Sequence, residues 1–436
     1  MARFQGTDLR STLQGAFSDG LLEQLAIDTG LIRRKRAFLP VIFFWALMAS
    51  VLGGQCTSIA SVRSAYERLA GRRVDRASFY RHVNPAMVEF LRRLFAHACA
   101  NVFPPATTPP LLRGFTQTLL QDSTIIRLRA KMAKLWPGAG VPAAAKINVI
   151  MRAGGGGAFR VRITKGTRAE VKFTPITRML KGGLLIFDLG YQSLKNFARI
   201  EDKGGFFLTR LKDNLHPTIA RSNVLHRGVS IDLAGQPLRA ALDRLRRACL
   251  DVMIEVKAGP KGAYKAREWR VVGLRDEETG QYHLYLTNIP AGRLTGPEIG
   301  QAYAYRWEIE RLNAEMKGVY KLGTWGVTRD ESMLVEAYAV LIAWALNRRL
   351  RAAILNPEEL EDPLSAALAA PLMRWAKVMA GFIGDLVMAV VLHRRIPHSY
   401  VELIKSLVRD PNRGRVPLSG RTERVPRNAR VMPHAA

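Results

Sequence analysis

The spacing of apolar positions divides the chain into a helical start, a strand-rich middle and a helical end. Residues 1–105 carry helical spacing. Within them, "FLPVIFFWALMASVLGG" (Phe38 to Gly54) is the longest early apolar run. It is shorter than the ~20 residues of a membrane span and has a proline near its start, so it predicts a buried helix and no membrane segment. "TSIASVRSAYERLAGRRVDRASFYRHV" holds two short helical patterns, with Gly71 between them and Ser78 opening the second. The pair fits a helix-turn-helix with Arg76, Tyr80, Arg81 and His82 facing DNA, although any small helical bundle supplies such pairs. The prolines of "NVFPPATTPPLL" predict a linker.

From about residue 115 the period shortens. "FTQTLLQDSTIIRL", "AAKINVIMR" and "AFRVRITKG" read as strands. The glycine cluster "AGGGGA" between the last two lacks the Lys-Ser/Thr of a phosphate loop, so it reads as a hairpin turn. "GGLLIFDLG" is a further strand ending at Asp188, "SLKNFARIEDKGG" a helix capped by Ser193, and "GFFLTRLK" a fifth strand. "MIEVKAG", "EWRVVGL" and "QYHLYLTNIP" predict an antiparallel insertion with a sheet of its own. Helices return with "YAYRWEIERLNAEMK" and "ESMLVEAYAVLIAWALNRRLRAAIL". "PLMRWAKVMAGFIGDLVMAVVLH" predicts a helical pair or a kinked helix. The expected organisation is a helical DNA-binding region over 1–105 and an α/β domain over 106–213 and 291–355. That domain is interrupted by a β-rich insertion over 214–290 and followed by helices over 356–410. The Arg- and Pro-rich end, 411–436, predicts disorder.

Charge then narrows the function. Sixty-six Lys plus Arg against 36 Asp plus Glu give a net charge of +30 and a pI near 10.7. Such an excess calls for an anionic partner, and nucleic acid, with its salt-dependent phosphate contacts, is the commonest. The cations are spread along the chain, so a basic tail alone does not account for them. Cys56, Cys99 and Cys249 are odd in number and far apart. They suggest neither a disulfide framework nor a zinc cluster, which fits a reducing cytosol. "MARFQGTDLRSTLQ" lacks the apolar core of a signal peptide.

Against this basic background three acids stand out. Asp122 sits inside an apolar strand pattern and Asp188 closes another, where aspartate is depleted and a buried charge is costly unless paired or metal-bound. The third lies on "YAYRWEIERLNAEMK". Ile309, Leu312, Met316 and Val319 give this segment a buried helical face. At about 100° per residue, Tyr303, Arg306, Glu310 and Lys317 share an arc of roughly 60°, while Glu308 and Glu315 point elsewhere. Carboxylates in a protein that handles phosphates suit Mg²⁺, and two such ions can clamp the attacking and leaving oxygens of an in-line displacement.

The spacing Y-x(2)-R-x(3)-E-x(6)-K over Tyr303, Arg306, Glu310 and Lys317 resembles the signature of bacterial DDE insertion-sequence transposases of family four. "LLQDSTIIRL" resembles the first-aspartate strand of that family. "LWPGAG" is similar to its Phe-Pro-Gly element, with Trp136 in place of the Phe. "LIFDLGYQS" resembles the second-aspartate block, and "YLTNIP" the strand that leads to the last helix. The resemblance covers about residues 30–355. It implies a ribonuclease-H-like α/β catalytic domain with a β-rich insertion, flanked by helical regions. It implies a metal-binding triad of Asp122, Asp188 and Glu310, with Mg²⁺ as cofactor and Mn²⁺ as its substitute. Arg306 and Lys317 would hold phosphates, Tyr303 would assist, and Trp307 is a candidate for stacking on a base.

The implied reaction is cleavage of double-stranded DNA at terminal inverted repeats, then joining of the freed 3′-OH to target DNA. A homodimer on DNA at the bacterial nucleoid would carry it out. Some relatives stack a flipped base on a Trp before "LTNIP"; here His283 stands near that place, which sets this chain apart. Two alternatives share the motif: a nuclease of the same fold that cuts without joining, and an inactive domesticated relative that only binds DNA. A basic RNA-binding protein would leave Asp122 and Asp188 without a role.

Overall fold

A computed structural model describes residues 6–32, 38–105, 108–155, 157–174, 176, 180–223, 225–226, 229–230, 233–355 and 372–409. The basic tail predicted over 411–436 lies outside the described residues, as do parts of the expected proline linker and of the 356–410 segment.

The N-terminal region is helical: α1 (Gly6–Ala16), α2 (Asp19–Asp28), α3 (Pro40–Leu52), α4 (Ile59–Ala70), α5 (Arg76–Arg81) and α6 (Pro85–His97). The apolar run forms α3, with proline in its first turn and Phe44, Trp45, Ala46, Leu47 and Met48 fully buried. Gly71 closes α4 at φ +65°, a conformation glycine adopts without strain. The second helix of the pair begins earlier than the sequence suggested. Asp75, not Ser78, is its N-cap, and its carboxylate accepts the Ser78 N–H at 2.7 Å.

The strands are β1 (Thr118–Arg127), β2 (Ala144–Arg152), β3 (Ala158–Lys165), β4 (Leu184–Phe187) and β5 (Phe206–Arg210), with α7 (Leu194–Asp202) between the last two. Ser193 caps α7 by accepting the Asn196 N–H at 3.3 Å, as its sequence predicts. β1, β2 and β3 form an antiparallel meander, and β4 and β5 run parallel to β1 on its other side. The order β3-β2-β1-β4-β5 is the ribonuclease-H-like arrangement.

The insertion contributes β6 (Ile219–Ser222), the two-residue strands β7 (Leu225–His226) and β8 (Val229–Ser230), α8 (Leu238–Arg244), β9 (Cys249–Val256), β10 (Arg267–Arg275) and β11 (Tyr282–Thr287). The expectation of a separate sheet is corrected. Only β7 and β8 stand apart; β11, β10, β9 and β6 extend the central sheet to nine strands in the order β3-β2-β1-β4-β5-β11-β10-β9-β6. The reason lies at the free edge of β5. β11 pairs antiparallel with it, Thr287 Oγ1 donates to Phe207 O at 2.5 Å, and Asn288 accepts from Phe207 N and donates to Gly205 O, both at 2.9 Å. Strand pattern alone does not reveal which edge a strand will join.

After the sheet come α9 (Gly296–Ala304), α10 (Trp307–Gly318), α11 (Asp330–Ile354), α12 (Leu372–Val391) and α13 (His398–Arg409). The segment predicted as one helix is two, α9 and α10, joined by a turn at Tyr305 and Arg306 that no glycine or proline announces. α12, by contrast, is one helix despite Gly381 and Gly384. Side chains of the sheet alternate between two cores. Leu120, Ile126, Val149 and Ile186 meet the helical layer, while Leu119, Ile150, Leu185 and Phe187 pack with Phe197, Phe207 and Trp269 on the other face. α1, α3 and α6 all pack against α11, so the N-terminal helices share the first core.

Candidate active site

Sheet register brings the two aspartates together. Gln121 of β1 is opposite Phe187 of β4, so Asp122, within β1, and Asp188, just past the end of β4, follow their partners side by side. α10 packs on β1 with Ile309, Leu312 and Met316 fully buried, the face read from the sequence. That seating turns Glu310 and Asn313 toward the aspartates.

Asp122 is half-buried. Its Oδ1 accepts the Ser123 N–H at 2.7 Å and its Oδ2 accepts Asn313 Nδ2 at 2.8 Å. Burial pushes its pKa up to about 6; the charges of Asp188 and Glu310 add to the rise, and the Ser123 N–H and Arg306 oppose it. Arg306 joins the other two acids, since its NH1 pairs with Glu310 Oε1 and lies 3.9 Å from Asp188 Oδ1. Its guanidinium carbon also sits 5.2 Å from the centre of the Tyr303 ring, a cation–π distance. Tyr303 packs in turn against Tyr285, the rings tilted by 55° with centres 5.2 Å apart, and burial raises its phenol to about 12.

Tyr303, Arg306, Glu310, Asp122 and Asp188 thus meet at one place. Lys317 is exposed farther along α10 and pairs with none of these acids among the described residues. Trp307 stands at the first turn of α10, 41% exposed. Arg76 and Arg81 are exposed on α5 in the N-terminal bundle, with Arg76 lying 5.6 Å from the Tyr80 ring centre. His82 is corrected: it stacks on Phe38 at 4.1 Å and its Nδ1 contacts Ser78 O, so it belongs to the bundle's packing.

Sequence reasoning missed three supports. Asn313, one turn beyond Glu310, is one; its spacing was the available signal. Glu308 accepts the N–H groups of Gly154 and Gly155 at 3.1 and 3.2 Å, which ties α10 to the β2–β3 hairpin. Those glycines adopt φ +81° and +74°, so the "AGGGGA" cluster is a hairpin turn with an acid seated on it. Glu315, 1% exposed, accepts from Tyr320 Oη, Asn347 Nδ2 and Arg348 NH2 at 2.7, 3.2 and 2.7 Å, which fixes α10 to α11.

A family described as "Transposase DDE domain" matches residues 113–346, more than half of the 436. The chain belongs to this DDE transposase family. It is an enzyme that acts on DNA, and the family implies dependence on a divalent cation. The chain is 22% identical over 362 residues to the transposase for insertion sequence element IS231B of Bacillus thuringiensis subsp. berliner, covering 74% of this chain and 75% of the relative. It is 21% identical over 398 residues to the transposase for IS1151 of Clostridium perfringens, covering 81% and 83%. A solved structure of a piggyBac transposase synaptic complex with hairpin DNA aligns with a TM-score of 0.44 and 13% identity, over 96% of this chain and 87% of that one.

The donor set suits a hard cation: three carboxylates from β1, the end of β4 and α10, with an Asn amide beside them. Among the described residues, no group of three or more His, Cys, Asp or Glu side chains is arranged to hold a metal ion. Arg306 lies between Glu310 and Asp188, within 4 Å of each, and its single positive charge is shared by the two acids. No helix of the described residues is long and apolar enough to cross a membrane.

Proposed function

We propose that the chain cleaves double-stranded DNA at the terminal inverted repeats of its element and joins the freed 3′-OH to target DNA. The observation that carries this reading is the gathering of Asp122, Asp188 and Glu310 around Arg306 inside a DDE transposase domain. In this reading the three carboxylates hold Mg²⁺, with Mn²⁺ as substitute. The bound cations supply activation of the attacking oxygen and neutralisation of charge on the phosphate. Asn313 and the Ser123 N–H fix the two oxygens of Asp122, so that carboxylate is positioned before substrate arrives. Arg306, held over Tyr303, compensates the acids in the free protein and is placed to grip a phosphate oxygen. Lys317 holds a second phosphate, Trp307 stacks on an unpaired base, and Arg76 and Arg81 contact the duplex from α5. Pairing of two ends calls for a homodimer on DNA, and the cytosol at the nucleoid is its place.

The test uses labelled element ends with Mg²⁺ or Mn²⁺. Asp122→Ala, Asp188→Asn and Glu310→Gln should each bind ends within about threefold of wild type and lose cleavage by about 10³-fold or more. Variants that stay folded but cleave at the wild-type rate would refute the triad. Cleavage without any joining would leave a nuclease.

A further inference from the structure

The β1–β2 hairpin continues past the acids. β1 pairs with β4 only over Thr118–Gln121, but with β2 as far as Arg127. At ~3.3 Å per residue the stretch from Asp122 to Arg127 carries the hairpin roughly 17 Å beyond the acid. From Ile125 to Ala145 the chain has only apolar residues, glycine, proline, Arg and Lys; it has no acid, amide, hydroxyl or imidazole. Arg127, Arg129, Lys131 and Lys134 are all exposed, and among the described residues none has a carboxylate partner. Two large apolar side chains on this arm also face solvent, Ile125 at 41% and Leu135 at 55% exposure.

The tip that presents Leu135 is stiff. Leu135 N and Trp136 N both donate to Met132 O, at 3.0 and 2.8 Å, and Met132 is buried. Trp136 Nε1 donates to Asp330 Oδ1 at 2.6 Å, which anchors the tip to the start of α11. The turn closes at Gly138, where a Cβ would lie 2.4 Å from Val141 O. An exposed leucine beside Lys134 on an ordered tip is unlike a solvated loop residue, because hydrogen bonds fix its backbone while more than half of its surface stays in solvent.

We infer that this arm is the docking surface for target DNA, with the four cations on backbone phosphates and Leu135 as an apolar wedge against a base step. The inference rests on the proposed function above. Element ends are chosen by sequence; Arg and Lys can read guanine, but direct readout of adenine and cytosine draws on amide and carboxylate groups that the arm lacks. A target of varied sequence is instead held through its phosphates and its deformability, and apolar side chains that enter a base step kink the duplex. The composition of the arm suits the second task.

The experiment uses the full chain, pre-cleaved labelled ends and a linear target duplex, with Leu135→Ala and a Lys131→Ala/Lys134→Ala pair. Both variants should bind and cleave ends within about twofold of wild type and lose about tenfold or more in strand transfer to intact target. A target with a central mismatch, already easy to kink, should restore Leu135→Ala to within about threefold and leave the lysine variant impaired. The lysine variant should also lower the slope of log target affinity against log salt by about two. End cleavage that falls in step with strand transfer, or no rescue of Leu135→Ala by the mismatch, overturns the inference. Wild-type protein that cleaves and joins while both variants match it overturns the inference alone. Wild-type protein with no metal-dependent cleavage overturns the proposed function as well.

Discussion

Glu336 gives a pH dependence that can be worked from the structure. It lies on α11, 1% exposed, folded over the turn that follows α10. Its Oε1 accepts the backbone N–H groups of Gly323, Thr324 and Trp325 at 2.6, 3.1 and 3.5 Å. Burial outweighs these donors and raises its pKa from 4.5 to about 7. The folded carboxyl therefore holds its proton more tightly than the unfolded one. Stability from an acid shifted in this direction is complete below the unfolded value of 4.5 and is lost as pH rises through about 7. A rise of that size corresponds to about 3 kcal/mol between the protonated and ionised forms. Glu336→Gln keeps a carbonyl oxygen for the three donors and removes the charge. It should exceed wild type in unfolding free energy by up to about 3 kcal/mol at pH 8, with the gap closing by pH 4. Glu336→Ala strands three N–H groups and should destabilise the protein by about 1–3 kcal/mol at pH 4, a deficit that shrinks or vanishes by pH 8 because the variant no longer carries the titrating carboxyl. Urea unfolding followed by tryptophan fluorescence, repeated from pH 4 to 8, reads both. A gap between Gln and wild type that does not change with pH, or a Gln variant less stable at pH 8, would refute the reasoning.

Three further substitutions separate folding from chemistry. Asp251→Ala removes the partner of Arg270, a buried guanidinium bonded to Asp251 at 2.8 and 2.5 Å and to Ile289 O and Leu294 O; calorimetry should show a loss of about 3–5 kcal/mol. Ser193→Ala deletes the cap of α7 and should cost about 1 kcal/mol in denaturant titration, with DNA cleavage unchanged. Trp307→Ala, at a site 41% exposed, should leave stability within about 0.5 kcal/mol, while fluorescence anisotropy should show binding to ends with an unpaired base weakened by about 1–3 kcal/mol.

The sequence made legible what local pattern controls. The apolar, β-branched runs of β1 to β5, the Ser193 cap and the buried face of α10 each depend on residues a few positions apart. The break at Tyr305 and Arg306 was not legible, because both residues are compatible with a helix and only the packing around them sets α9 and α10 apart. The joining of β11 to β5 was hidden for a different reason: strands of residues 206–210 and 282–287 carry the same pattern whether they pair with each other or not. Of the site, the spacing of Tyr303, Arg306 and Glu310 was legible, as were two acids in apolar surroundings. Their common partner was not, since nothing in the spacing says that Arg306 lies between Asp188 and Glu310.

The three glutamates of α10 show how far partners decide a role. Glu308, Glu310 and Glu315 share one helix and the same side chain. Glu308 ends on the N–H groups of a glycine hairpin whose residues lie 154 and 153 positions earlier. Glu315 is enclosed by Tyr320, Asn347 and Arg348. Both are therefore satisfied within the fold, and they pin the two ends of α10, one to the sheet's hairpin and one to α11. Among the described residues Glu310 pairs only with Arg306, a partner that it shares with Asp188 and that stays firmly charged. An acid with a single, shared and partly solvated partner is the one of the three that can exchange that partner for another cation. The two satisfied glutamates hold the helix still, so that exchange at Glu310 need not move its backbone.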